Sequence, residues 1–365
     1  MSQAWPLSTV FNPQPSWYCG ELHTHSSHSD GLHGPLRLTD FARTEGLDFL
    51  AITDHNRIDA FDRLDPRLDF LIIPGIEITL QNGHFNIYGL AGWYDWMENV
   101  CIGLNTIKLS GRYPTTTTLM RRTAELGLLN SINHPFRVPF HWQDRATELR
   151  YVHCVEIWNK PDAPDPIGSN SRAIKLWTAL LNAGYRITAI GGSDHHALQP
   201  RAGEKLPTER VGWPRNYVYA DQLSGQSLLT GLRQRRVIVS MGAEVTFEAR
   251  YLGESYSIGV ELGTVAGAVE LRAKVTASPV RARAQIIKNG AVMAESSVAG
   301  GETDLSFDDY LTGDRPVWYR LDVYDEAGLM LAITNPIFAG PRPEPQLHTF
   351  GDFVTEDMGL KPHLD

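Results

Sequence analysis

The sequence predicts an α/β barrel followed by an all-β module. Two features carry the barrel: apolar runs of strand length alternate with helix-period segments, and those runs end in His or carboxylate residues. A third carries the module: beyond residue 242 the pattern changes to short alternating strands separated by turn formers.

Residues 1–16, rich in Pro and polar side chains, are expected to wrap the outside of the fold. Residues 17–22 (WYCGEL) are strand-like. Residues 35–46 (PLRLTDFARTEG) place Leu36, Leu38, Phe41 and Ala42 at roughly helical spacing, with Pro35 and Gly46 as boundary residues. Residues 47–53 (LDFLAIT) have the apolar character of a buried parallel strand. Residues 70–79 (FLIIPGIEIT) read as a strand interrupted by a Pro-Gly turn, and residues 85–90 (FNIYGL) as the next strand. A helix over 117–127 precedes the strand LLNSINHP, and residues 152–159 (VHCVEIWN) form another strand. The helix over 171–184 puts Ala173, Ile174, Trp177, Leu180 and Leu181 on one face and leads into RITAIGGSD. A last helix over 222–234 runs into VIVSMG. This alternation argues for a parallel architecture over residues 17–242.

Residues 243–340 contain VTFEARYL, VELRAKVTA, RAQIIKNG, WYRLDVYDEAG and LMLAITNPIF, separated by turn formers such as Asn289-Gly290 and Gly313-Asp314. They predict a separate all-β sandwich. Its expected role is a structural lid or an oligomer contact, which makes a homo-oligomer an expected assembly. Trp318 and Tyr319 would serve a bound polymer such as carbohydrate only if exposed, and alternation turns at least one of them inward. Residues 341–365 are a Pro-rich, then polar, tail.

The size, 365 residues, suits one barrel of about 250 residues plus a smaller module. With 42% hydrophobic and 21% charged residues, the chain can build a sizeable core. A net charge of −9 gives no broad attraction to nucleic-acid backbones or anionic membranes. Cys19, Cys101 and Cys154 are too few and too scattered for a disulfide framework or a thiolate metal site. No apolar run is long enough to span a bilayer, and the N-terminus does not read as a signal peptide, so a cytoplasmic location is expected.

The chemistry lies where the strands stop. His23 and His25 follow the first strand at a spacing that puts both imidazoles on one face. Asp30 sits in the turn beyond them. His55 ends the next apolar run, Glu77 the one after, and His84 opens the strand that follows. His134 ends LLNSIN, and Asp194, His195 and His196 end RITAIG. Each motif alone has an ordinary explanation: a chance HxH, an N-cap, an ion pair, a packed histidine. Together they would gather six histidines and three carboxylates, His23, His25, His55, His84, His134, His196, Asp30, Glu77 and Asp194, at one rim. Divalent cations supply the positive charge such a set needs, and imidazole with carboxylate suits Zn, Mn or Fe. Glu77 is the natural bridge between two ions, because a carboxylate has two oxygens to share.

In order and spacing, His23-x-His25 with Asp30, then His55, Glu77, His84, His134 and Asp194-x-His196 resemble the motifs of the polymerase and histidinol phosphatase (PHP) domain. The phrases GELHTHSSHSDG, ITDHN and GGSDHH, with the β module ending in ITNPIF, are similar to its carbaryl-hydrolase-like branch. The resemblance covers about residues 17–240 and implies a distorted seven-stranded (β/α) barrel with two or three divalent metal ions. It implies that His23, His25, Glu77 and Asp194 hold the first ion. Glu77, His84 and His134 would hold a second, and Asp30, His55 and His196 a third.

The reaction expected from such a site is hydrolysis of a small phosphomonoester or phosphodiester, a nucleotide among the options, by a metal-bridging hydroxide. His195, or His55 if it is not a ligand, is the candidate general acid. Arg57 and Arg137 are the candidate guanidinium forks for a substrate phosphate. Two alternatives stand beside this reading. One is a metal-dependent hydrolase of carboxyl esters, carbamates or amides. The other is a degenerate metal-binding sensor or binding protein, against which the completeness of the ligand set argues.

Overall fold

The computed structural model describes residues 5–65, 67–100, 115–161, 168–197, 210–277, 281–299 and 301–356. Cys101 and the end of the tail lie outside them. The first part runs β1 (Ser16–Glu21), α1 (Pro35–Thr44), β2 (Phe49–Ile52), β3 (Leu71–Leu80), β4 (Gly83–Tyr88), α2 (Thr116–Glu125), β5 (Leu129–Ile132), β6 (Cys154–Asn159), α3 (Ser169–Asn182), β7 (Thr188–Gly192), β8 (Arg215–Ala220), α4 (Gly225–Arg233) and β9 (Val237–Ser240). The second part is all β until the short α5 (Phe350–Phe353). Its strands are β10 (Glu244–Tyr251), β11 (Glu254–Ser257), β12 (Gly267–Thr276), β13 (Ala282–Lys288), β14 (Ala291–Val298), β15 (Glu302–Leu311), β16 (Val317–Asp325), β17 (Met330–Thr334) and β18 (Ile337–Ala339).

The helices start where local chemistry lets them. Pro35 opens α1, where its missing N–H costs nothing. Thr115 and Ser224 cap α2 and α4 by accepting from the N–H groups of Thr118 and Ser227, each at 3.2 Å.

The large sheet is mixed, not parallel throughout. β1, β2 and β3 are parallel, as are β5, β6 and β7, but β4 is antiparallel to both β3 and β5. The reason lies in the connection: only Gln81 and Asn82 separate β3 from β4, too short for a crossover. Gly83 takes φ +134° there, and a Cβ on it would sit 2.6 Å from a ring carbon of Trp142. The expected Pro-Gly turn in this region is absent. β3 is one continuous, buried strand of ten residues through Pro74-Gly75. Its pairing passes at that point from β2 (Leu71–Pro74) to β4 (Gly75–Leu80), which is where a residue without an N–H is best tolerated.

β8 was not expected from the sequence. It pairs antiparallel with β1 on one side and β9 on the other. The Asn216 side chain ties it to β7: Gly191 N–H donates to Oδ1 at 2.9 Å and Nδ2 donates to the Gly191 carbonyl at 2.7 Å. At the carboxyl ends, His25 N–H donates to the His195 carbonyl at 3.0 Å and joins the segments leaving β1 and β7.

The second part does not hang from a linker. β17 pairs with β9, so one 14-stranded sheet crosses the boundary at residue 242. A four-stranded antiparallel sheet, in the order β11-β10-β12-β15, shares a core with β13, β16 and β17 through Phe247, Leu271, Val275, Ile286, Leu321, Val323 and Ala332. Because β16 is covered on both faces, alternation exposes neither aromatic side chain. Tyr319 enters that core, while Trp318 faces α3 and donates from Nε1 to Asn182 at 2.8 Å. Neither is available to a polymer. No helix among the described residues is long and apolar enough to cross a membrane.

Candidate metal centre

The nine expected ligands converge. They form four groups, within each of which the ligand atoms lie no more than 4.8 Å apart: His23, His25 and Asp194; His23, Glu77 and His134; His55, Glu77 and His84; and His25, Asp30, His55 and His196. Strand ends place most of them. His23 and His25 leave β1, His55 leaves β2, His134 leaves β5, and Asp194 and His196 leave β7. Glu77, expected at a strand end, sits instead inside β3, which continues as a hairpin with β4 and carries both Glu77 and His84.

Glu77 lies at the centre. Its oxygens stand 3.3 Å from His23 Nε2, 3.6 Å from His25 Nε2, 2.8 Å from His55 Nδ1, 3.4 Å from His84 Nδ1 and 3.4 Å from His134 Nε2. Asp194 Oδ1 is 3.1 Å from His25 Nε2 and 3.6 Å from His23 Nε2. Asp30 Oδ1 is 3.2 Å from His196 Nε2 and 3.6 Å from His55 Nε2.

All of these side chains except Asp30 are buried. Burial pushes Glu77 upward, but the imidazoles of His23, His55 and His84 outweigh it and hold the carboxyl well below its usual range. Asp194 is likewise lifted by burial and held well below by Lys160 and His23. Burial, with His196 and His55 alongside, holds His25 well below the ordinary imidazole value. His25 is therefore neutral, the form that ligates. Burial also depresses His23, yet Glu156, Asp194 and Glu77 together raise it well above that value. His55 is raised against burial chiefly by Glu77.

Supporting residues orient this set. Glu156 takes His23 Nδ1 at 2.9 Å and the His134 N–H at 2.9 Å, so His23 presents Nε2 to the cluster. The Asp194 carbonyl lies 2.8 Å from His196 Nδ1, Thr79 Oγ1 lies 2.5 Å from His55 Nδ1, and Asn133 donates to Glu77 at 2.8 Å. Five non-glycine residues with left-handed backbone, Asn56, His134, Lys160, Asp194 and Ala197, lie in the segments leaving these strands. Strain of this kind is characteristic of binding and catalytic rims.

Asp54 belongs to the scaffold. Its carboxylate accepts from Ser26 N–H, Ser26 Oγ and Ser29 Oγ, each at 2.6 Å, and pins the loop that leads to Asp30. Asp54→Ala is expected to cost about 3 kcal/mol of stability and to deplete bound metal at the Asp30 group first. Denaturant unfolding and metal analysis would read both; a variant with unchanged midpoint and metal content would mean the loop is held otherwise.

The other expected residues fare differently. His195 points away from the cluster. Its ring packs near Phe41 and His33, at centroid distances of 6.2 and 6.5 Å. That placement lends no support to its role as a general acid. His55 lies inside two ligand groups. Arg57 closes its fork on Asp59, at 2.8 and 2.7 Å, and its side chain is 45% exposed. Arg137 is half-buried beside His134, and its Nη1 is buried without a hydrogen-bond partner. Sequence reading missed Glu156 and Lys160. An acid inside the apolar run VHCVEIWN was the available signal for the first; Lys160, one residue beyond that strand, carried none.

The donor set fits divalent cations. Ligands arranged tetrahedrally about 2.1 Å from one ion stand about 3.4 Å apart, close to the 3.1–3.6 Å separations around Asp30 and Asp194. His23 Nε2 and both ring nitrogens of His25 are buried without hydrogen-bond partners, an expensive arrangement that a cation relieves.

No family model matches the chain, and no curated protein matches it. Solved structures similar to it include a two-domain protein from Bacteroides vulgatus containing a predicted PHP-like metal-dependent phosphoesterase. The identity is 18% over 90% of this chain and 98% of that one, with a TM-score of 0.46. An amidohydrolase from Chromobacterium violaceum, with bound sulfate and no metal, is 15% identical over 52% of this chain and 93% of its own, with a TM-score of 0.35.

Proposed function

We propose that the chain is a PHP-like metal-dependent phosphoesterase acting on a small phosphate ester, with β1–β7 as a distorted seven-stranded barrel and the β10–β18 region as a sandwich. The observation that carries this reading is the arrangement of imidazoles about the buried, ionised Glu77. A carboxylate among so many nitrogen donors at ligand–ligand spacing would be shared between ions, whereas a structural ion pair needs only one partner. His23, His25, Glu77 and Asp194 would hold one ion, Glu77, His84 and His134 a second, and Asp30, His55 and His196 a third; Zn, Mn and Fe all suit these donors.

Bound divalent ions supply Lewis acidity, which activates water and stabilises negative charge on a phosphoryl group. The chain's own residues do the rest. Glu156 fixes the orientation of His23, and Asn133 that of Glu77. Arg137, whose N–H donates to the His134 carbonyl and whose Nη1 has no hydrogen-bond partner, would be the guanidinium that takes a substrate oxygen. His55 is assigned as a ligand, which leaves protonation of the leaving group to solvent or to the substrate.

Hydrolysis of phosphomonoesters, phosphodiesters, carboxyl esters and carbamates by Mn-, Zn- and Fe(II)-loaded protein tests the proposal. Phosphate release is expected, and Arg137→Ala should lower kcat/KM for phosphoesters about tenfold or more. Cleavage of carboxyl esters or carbamates alone would replace this reading with the carboxyl-ester hydrolase. Inactivity across the panel at full metal occupancy would leave a sensor.

A further inference from the structure

Lys160 stands apart from the other cations. Among the described residues it is the one Lys or Arg within ion-pair range of Glu77, Asp194, Asp30 or Glu156. It directly follows β6, with φ +40° and its N–H on the Gly192 carbonyl at 3.3 Å. Nζ lies 3.5 Å from Asp194 Oδ2 and 3.2 Å from His196 Nδ1. His196 Nδ1 also lies 2.8 Å from the Asp194 carbonyl, which can only accept, so that nitrogen carries the proton and offers Lys160 nothing. The remaining acceptor, Asp194 Oδ2, is shared with Asn159 Nδ2 at 3.4 Å. The Lys160 side chain keeps 15% exposure and Glu77 only 1%. Lys160 therefore lies on the more exposed side of the cluster, beside Asp194 and His196, whose side chains keep 11% and 10% exposure.

Without cations the ammonium pairs with Asp194. Cations held by Asp194 and His196 would repel it. The position becomes favourable when an anion lies between the ammonium and the cations. We propose that Lys160 is a catalytic residue whose Nζ donates to a non-bridging oxygen of the substrate's phosphoryl group, and that the substrate class is the phosphomonoester. A terminal phosphate has three non-bridging oxygens, enough for the cations and Lys160 together; a diester has two. The inference rests on the phosphoesterase reading and narrows it.

The test uses the full-length, Mn-loaded protein with Lys160→Met and Lys160→Arg. Calorimetric titration with inorganic phosphate needs no turnover. Lys160→Met is expected to weaken phosphate binding about tenfold, to raise KM for phosphomonoesters in step, and to leave metal content unchanged. Lys160→Arg should recover most of the phosphate affinity. Unchanged phosphate affinity in the fully loaded Met variant overturns the assignment. So does loss of metal in both variants, which would make Lys160 a support for Asp194. Absence of phosphoester turnover by the unaltered protein sinks the phosphoesterase reading instead, while the phosphate titration still decides the role of Lys160.

Discussion

Glu77→Gln is expected to abolish hydrolysis, lowering kcat/KM by about three orders of magnitude or more, and to reduce bound metal. The substitution preserves shape and removes one charge. In the native arrangement that charge faces His23, His25, His55, His84 and His134, and the imidazoles of His23, His55, His84 and His134 hold the carboxyl ionised against complete burial. An amide keeps one acceptor oxygen and turns the other corner into a donor, so it cannot bridge. Removing the carboxylate also leaves the His23 and His55 cations without their shared partner, and breaking a buried pair costs about 3–5 kcal/mol. Thermal unfolding must therefore be read beside activity. A Gln variant that keeps its metals and its activity would show that Glu77 is a structural anion and that the proposed centre is misplaced.

The second large effect concerns the ions. Removing divalent metal with a strong chelator is expected to lower the unfolding temperature by several degrees. A ligand at 100 to 1,000 times its Kd contributes roughly 2.7–4 kcal/mol. The linkage to pH has a definite sign. His23 is raised well above the ordinary imidazole value and His55 is raised above it, by Glu156, Asp194 and Glu77 and by Glu77 respectively, so both hold a proton more readily in the metal-free protein than a free imidazole does. Cations must expel those protons, so metal affinity rises with pH until the raised values are passed. His25 is already neutral and contributes none. Titration in buffers of different ionisation enthalpy should report proton release on metal binding that falls as pH rises. Release of none would mean that His23 and His55 are not ligands.

Much of this centre was legible because strand ends in α/β proteins gather on one side. His23, His25, His55, His134, Asp194 and His196 could be placed by that rule alone. Glu77 and His84 obeyed a different one. A two-residue connection forces β3 and β4 into a hairpin, and the carboxylate ends up inside a strand that the Pro74-Gly75 pair had suggested was broken. β8 escaped notice because half its side chains are partly exposed and alternate along RNYVYA, a weaker signature than a buried run. Glu156 and Asp54 show what motif spacing cannot reveal: they bind the polypeptide that bears the ligands, and their partners are 133 and 28 residues away. Arg57 and Arg137 were indistinguishable as residues near a motif. Asp59, two positions from Arg57, separates them.

The ladder between β9 and β17 bears on how this protein could be shortened or inherited. A chain ending near Gly242 would leave one side of β9 uncovered, with Val237, Val239 and their neighbours offering unpaired backbone to any other strand. Such an edge invites self-association. The C-terminal third is thus no detachable accessory that recombination can trade freely between metal-binding cores. It and the core must be passed on together, and a truncated gene product would be expected as aggregate.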